Sequence, residues 1–376
     1  MRSVGMLDLK AEYALFRDEI LAAVDAVLES QQFVGGPAVV ELERVLSARY
    51  DVANAVAVSS GTDALLCAMM AMGIGHGDEV ILPSFTFFAT AGTVSRLGAR
   101  PIFVDIDSRT FNIDSAKIEG AITPNTKAIV VVHLFGQCAE MDAINSIAKR
   151  RKLFVIEDAA QAIGAKYKGR PAGALGDIAC FSFYPTKNLG GFGEGGTIFT
   201  ADERLANLCR QLRNHGESQR YYHDRVGGNF RLDTMKAAIL LVKLNRLDDF
   251  TRRRRRNAAC YDKLLAGTPV TTPFVAAGCE LVYHQYSILC DRRDELAAFL
   301  RDRGVGTGVY YPVPLHLQRC FADLGYRPGS LPVTEEVCKR ILSLPCHPML
   351  SEDDLEYVAN CIGEFFGQAR EQKRTC

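Results

Sequence analysis

Residues 153–161 read LFVIEDAAQ, and residues 178–191 read IACFSFYPTKNLGG. Each opens as a short run of β-branched and aromatic residues that is apolar on both faces. Each then ends in side chains able to do chemistry, Asp158 and Gln161 after the first, Ser182 and Lys187 after the second. A run apolar on both faces predicts a strand covered on both sides. Outward from this pair lie AVAVSS (55–60), EVILP (79–83), PIFVDI (101–106), KAIVVVH (127–133) and GTIFT (196–200). Stretches of helical spacing, such as Asp63 to Met72 and Met141 to Lys149, separate the first five runs in chain order. The pattern predicts an α/β fold with a mostly parallel central sheet sandwiched by helices. In such sheets ligands sit beyond the carboxyl ends of the strands. The last two runs are joined by a glycine-rich loop and no helix, which predicts an antiparallel piece.

The rest of the chain reads differently. Residues 233–265 predict one long helix or two abutting ones. After them come TPVTTPF, YHQYSILC, a helix from about Asp294 to Arg303, the loop GTGVYYPVPLH, and a last helix behind the cap-like Ser351-Glu352-Asp353-Asp354. This predicts a large domain over 1–249 and a smaller C-terminal α/β domain over 250–376. The 376 residues are 48% hydrophobic and 23% charged, which excludes a disordered chain. Forty-four basic and 44 acidic residues cancel, so no global field draws the chain to nucleic acid or an anionic membrane. No apolar run approaches the ~20 residues of a membrane span. The opening MRSVGMLDLKAEYALFRDEI carries no readable secretory signal, and the expected location is the cytoplasm. The 12 cysteines show neither C-x-x-C pairs nor zinc spacing, and no structural metal is expected.

A third strand end carries SSGTDAL (59–65), where Gly61, Thr62 and Asp63 open a helix. A helix start with a glycine lets backbone N–H groups approach an anion. Phosphate cradle, acid, hydroxyl and lysine together form the set that pyridoxal phosphate requires. The lysine makes its Schiff base, and the carboxylate keeps its ring nitrogen protonated so that the ring accepts electrons. The ring also needs a flat or apolar neighbour. Phe87 in PSFTFFAT is the candidate, with Phe85 and Phe88 as alternatives.

At this point the chain resembles the DegT/StrS family of nucleotide-sugar aminotransferases, which have pyridoxal-phosphate fold type I. The likeness runs nearly end to end, through FVGGPAVVELE, VSSGTDAL, GDEVILPSFTF, VIEDAAQAIGAKYKGR, FSFYPTKNLG, LRNHGE, NFRLDTMKAAIL and VYYPVPLH. The resemblance implies that Lys187 links to the cofactor and moves the proton, that Asp158 partners the ring nitrogen, and that Gln161 lies near the ring hydroxyl. It implies that Gly61, Thr62, Asp63 and Ser182 hold the phosphate, joined by Asn229 from a neighbouring subunit, hence a homodimer with shared active sites. His215, Tyr310, Tyr311 and His316 lie in motifs that border the substrate in relatives. Tyr310 stands where relatives more often have histidine, which leaves the accepted sugar open. Gly227-Gly228-Asn229-Phe230 departs from the usual pattern but keeps Asn229 in register.

Plainer readings compete. A lone lysine after a strand is ordinarily a solvated charge; Lys187 departs from that because Asp158 and Ser182 accompany it. Asp158 and Gln161 have the scaffold alternatives of helix capping and backbone pairing. GFGEGG (191–196) fits the dinucleotide-binding string but precedes a strand run, so a tight loop around the lysine is expected instead. Five consecutive arginines, 252–256, point all round a helix and read as a solvated surface. His133 reads as a packed, hydrogen-bonded residue, and His215 and His316 as either substrate contacts or scaffold. The expected activity is ping-pong transfer of an amino group from L-glutamate to a keto sugar carried on a nucleotide. The alternatives are a keto-cyclitol acceptor and a non-catalytic regulator that binds pyridoxal phosphate.

Overall fold

The structure is a computed structural model that describes residues 2–367. All seven apolar runs become strands of one sheet: β1 (Asn54–Val58), β2 (Glu79–Pro83), β3 (Arg100–Val104), β4 (Thr126–Val132), β5 (Phe154–Asp158), β6 (Ile178–Ser182) and β7 (Gly196–Thr200). Their order is β1-β7-β6-β5-β4-β2-β3. β3, β2, β4, β5 and β6 pair in parallel, and β7 runs antiparallel to both β6 and β1. β7 alone is therefore reversed, as the helix-free loop before it requires. The carboxyl ends of β1, β5 and β6 share one edge of the sheet.

Alternate residues of each strand feed two separate apolar layers, the consequence of a period of two. Ala55, Ala57, Val155, Phe181 and Phe199 pack under the helices Pro37–Tyr50, Met141–Arg151 and Thr234–Leu244. Val56, Val58, Ile156, Cys180 and Ile198 pack under Gly61–Ala71 and Glu203–Leu212. Cys67 and Cys180 are buried thiols within this second layer.

A third cluster joins Val4 to residues between Ala258 and Ile362, around the antiparallel pair β8 (Tyr286–Leu289) and β9 (Ile341–Leu344). The 233–265 stretch is two helices, Thr234–Leu244 and Leu247–Leu264, each with its own start. The second crosses the expected boundary at 250, since Leu247 lies in the first layer and Tyr261 in the third cluster. Leu315, Phe321 and Leu331 likewise fold back onto the second sheet layer. The final helix, Glu352–Phe365, begins with a reciprocal capping box between Ser351 and Asp354. No helix among the described residues is long and apolar enough to cross a membrane.

The arginine run corrects the expectation of a solvated surface. Arg254 is 5% exposed and donates to the carbonyls of Tyr283 (3.2 Å) and Cys346 (3.1 Å). Arg255 donates to Leu281 O at 2.6 Å and Arg256 to Leu350 O at 3.3 Å, while Arg252 and Arg253 pair outward with Asp249. The 100° steps that scatter five side chains around a helix also send one of them inward, where it serves loop carbonyls.

Candidate active site

Lys187 lies in the turn that follows β6, its backbone N–H donating to Tyr184 O at 2.8 Å. The return to β7 is tight: Phe183 N–H donates to Gly195 O (2.8 Å) and Gly191 N–H to Phe183 O (2.7 Å). A side chain on Gly190 would lie 2.3 Å from Pro185 O, so the loop closes only over glycine. The glycine-rich string is thus a clasp around the lysine. Burial pushes the Lys187 amine down to about 8, against the opposing pull of Asp158.

Glu157 and Asp158 are neighbours on a strand and so face opposite ways. Glu157, fully buried, meets His133 Nε2 at 2.8 Å and accepts the N–H groups of Gly173 (2.8 Å), Leu175 (2.7 Å) and Gly176 (2.7 Å). His133 also accepts from Ala139 N–H through Nδ1 at 3.2 Å, so it is packed and paired as the sequence predicts. Asp158, 6% exposed, turns to the Lys187 side. Its Oδ2 accepts from Thr90 Oγ1 at 2.7 Å and its Oδ1 from Ala160 N–H at 3.3 Å. Burial raises the Asp158 carboxyl, opposed by those two hydrogen bonds and by Lys187 and His133.

Ser60 caps the helix Gly61–Ala71, its Oγ accepting from Asp63 N–H at 3.0 Å. The N–H groups of Gly61 and Thr62 belong to the first turn and have no intrahelical acceptor. The Asp63 carboxylate accepts the hydroxyls of Ser59 (2.6 Å) and Ser60 (2.9 Å). It therefore fixes the serines that shape the helix start. A Cβ on Gly61 would lie 2.7 Å from Ser182 Cβ, which brings the ends of β1 and β6 into contact. Gly61→Ala is expected to weaken cofactor binding by about tenfold and destabilise the fold by about 1–3 kcal/mol. Equilibrium dialysis and thermal unfolding of the apoprotein measure the two effects separately.

The three phenylalanines separate. Phe85 is buried edge-on against Phe111, Phe135 and Tyr311, and Phe88 stacks on Phe321. Phe87 stays 57% exposed, its ring 6.3 Å from that of Tyr311. Gln161 links the site to the C-terminal part, accepting Phe135 N–H at 2.7 Å and donating to the Tyr311 hydroxyl at 3.1 Å. Tyr310 lies beside Tyr311, their rings 6.2 Å apart.

His316 is not available to a substrate. It is buried, with Nδ1 2.7 Å from Ser84 Oγ and Nε2 3.1 Å from Glu335 Oε1, so both ring nitrogens are engaged. His215 and Asn229 lie at the base of an exposed arm that carries the short hairpin Glu217–Gln219 with Tyr222–His223. Asn229 forms an isolated bridge with Asn214, next to which His215 N–H donates to Gly228 O at 2.9 Å. Three further residues border the site that are not among the candidates read from the sequence. Thr90 holds Asp158, Asn188 donates to Val282 O at 3.0 Å, and His284 Nδ1 lies 3.3 Å from Asn188 Oδ1. Burial, reinforced by Lys187 and Arg254, pushes the His284 imidazole well below its ordinary range.

Pyridoxal phosphate fits this donor set. A buried carboxylate faces a lysine whose amine burial brings down to about 8, an aromatic ring stands exposed, and a helix start offers free N–H groups where a Cβ would fill the space. The profile of the DegT/DnrJ/EryC1/StrS aminotransferase family matches residues 15–363. A Geobacillus stearothermophilus protein named pleiotropic regulatory protein is 51% identical over 367 residues, 97% of this chain and 99% of that one. A Pseudomonas aeruginosa protein named UDP-2-acetamido-2-deoxy-3-oxo-D-glucuronate aminotransferase is 45% identical over 359 residues, covering 96% and 99%. The crystal structure of S. venezuelae DesV in complex with a ketimine intermediate superposes with a TM-score of 0.96 at 42% identity, over 98% of this chain and 100% of that one. On profile, fold and donor set alike, the chain belongs to the DegT/DnrJ/EryC1/StrS aminotransferase family and uses pyridoxal phosphate.

Proposed function

We propose that this aminotransferase moves an amino group from L-glutamate to a keto sugar carried on a nucleotide, in two half-reactions. The observation that carries the reading is the opposition of Asp158 and Lys187 at adjacent strand ends, the one a buried carboxyl, the other an amine that burial brings down to about 8. When bound, the cofactor supplies an electron sink for the carbon that gains or loses the amino group. Asp158 keeps the proton on the ring nitrogen. Lys187 Nζ, neutral at mildly basic pH, lifts a proton from one carbon and returns it to another. Gly61, Thr62 and Ser182 anchor the phosphate, with Asp63 shaping the turn through Ser59 and Ser60. Phe87 covers a ring face, and Gln161 with Tyr311 closes one side.

The 3-oxo sugar in the name of the Pseudomonas relative favours amination at C3 and a uridine nucleotide. The exposed arm, with Tyr221 at 77%, Tyr222 at 66% and Val226 at 90%, carries Asn229 and His215. We assign that arm to a partner subunit's site in a cytoplasmic homodimer, with the seven-stranded sheet and its helices binding the cofactor and a smaller unit built around β8 and β9. The name of the Geobacillus relative keeps a regulatory reading in play. L-glutamate decides: the visible band of the holoenzyme is expected to convert fully on its addition and to return when a UDP-linked 3-keto sugar follows. A band that ignores glutamate and every other amino donor sinks the catalytic reading. Return of the band with keto-cyclitols alone moves the acceptor to that class.

A further inference from the structure

We propose that Thr90 is a positioning residue for the cofactor's ring: with Thr86 behind it, it donates along a one-way hydrogen-bond chain that holds Asp158 as a carboxylate. The inference rests on the reading of Asp158 as partner of the ring nitrogen. Thr86 Oγ1 lies 3.0 Å from Thr90 Oγ1, and Thr90 Oγ1 lies 2.7 Å from Asp158 Oδ2, all three side chains buried. A hydroxyl has one proton and a carboxylate has none to give. The Thr90 proton therefore points to Asp158, and the Thr86 proton points to Thr90. A carboxylate accepts this hydrogen bond more strongly than a carboxylic acid does, so the chain favours the charged form in a site whose burial favours the neutral one.

Placement adds to the argument. Thr90 lies in the first turn of the helix Ala89–Arg96, and its N–H donates to Phe87 O at 3.2 Å. One turn thus fixes both the exposed ring of Phe87 and the donor to Asp158. Oδ2 is occupied by Thr90, while Oδ1 receives only the 3.3 Å contact from Ala160 N–H and keeps acceptor capacity. The other titratable groups that face Asp158 are Lys187 on the β6 loop, His133 after β4, Cys180 on β6 and Tyr311 from the C-terminal part. Among these only Lys187 and His133 oppose protonation, and the one hydrogen bond between them and Asp158 runs from the His133 backbone N–H to the Asp158 backbone carbonyl (3.0 Å), not to its carboxylate.

The test compares wild type, Thr90→Val, Thr90→Ser and Thr86→Val through pyridoxal phosphate affinity across pH, read by the visible band. Thr90→Val keeps the shape and removes the donor. It is expected to weaken affinity at neutral pH by about tenfold and to move the acidic limb of binding up by about one pH unit. Thr90→Ser is expected to restore the limb, and Thr86→Val to move it in the same direction by less. A packing role alone would lower thermal stability and leave the limb in place; that result overturns the proposal. If Thr90→Val does not fold, an unmoved limb in Thr86→Val overturns it equally. Failure of wild type to take up the cofactor would instead strike the reading of the site itself.

Discussion

Lys187→Ala is expected to abolish aminotransfer, with turnover down by about four orders of magnitude and the visible band of the covalently held cofactor gone. The fold should survive, because the clasp around Lys187 is made by backbone bonds. Steady-state turnover, the absorption spectrum and a thermal unfolding curve check the three parts. The lowered amine adds a pH dependence. Covalent capture of the cofactor needs a neutral amine, so its rate in the apoprotein should climb with pH and level off above about 8. The unfolded chain holds this proton up to about 10.5, so between about 8 and 10.5 it binds more protons than the native state. The cost of burying the cation is thus fully present below about 8 and is relieved as pH rises through that window. Lys187→Met should flatten that part of the stability profile.

Asp158→Asn is the second large effect. It keeps the volume, and the amide oxygen still accepts from Thr90, but the charge that holds a proton on the ring nitrogen is lost. Turnover is expected to fall by about a thousandfold, with glutamate and sugar half-reactions slowed together, because both draw on the same electron sink. Rapid mixing of the holoenzyme with each substrate separates the two. A variant that slowed only one half-reaction would assign Asp158 to substrate contact instead. Replacing Glu157 should act otherwise: its carboxylate serves His133 and three backbone N–H groups, so Glu157→Gln should lower stability before it touches the chemistry.

These contrasts mark what a sequence can and cannot disclose. Strands apolar on both faces announce a covered sheet, and the missing helix between 183 and 196 announces the one reversed strand. Period two even determines that Glu157 and Asp158 part company, although it does not say which of them faces the lysine. That choice depends on the loop 173–176 arriving with three N–H groups, a tertiary event. Arg254 looks like its four neighbours in the string and differs only by where the loops at 281–284 and 346–350 pass. His316 sits in a motif that reads as substrate-facing, yet Ser84 and Glu335, far away in the chain, consume both its nitrogens. Thr90 is ordinary in composition and acquires its role from a neighbour 68 positions on. Side chains whose own type offers chemistry can be nominated from the sequence; those that act on another side chain cannot.

The reversed strand β7 has a consequence for the order of events at synthesis. β1 reaches the sheet only through β7, whose residues Gly196–Thr200 are made about 140 positions later than their partners Asn54–Val58. The phosphate cradle at Gly61 and the lysine at 187 therefore meet only once the chain has grown past residue 200. Pairing so distant in sequence closes slowly, and until it does the apolar edge of β6 stands open. A nascent chain halted before that point should bind no cofactor.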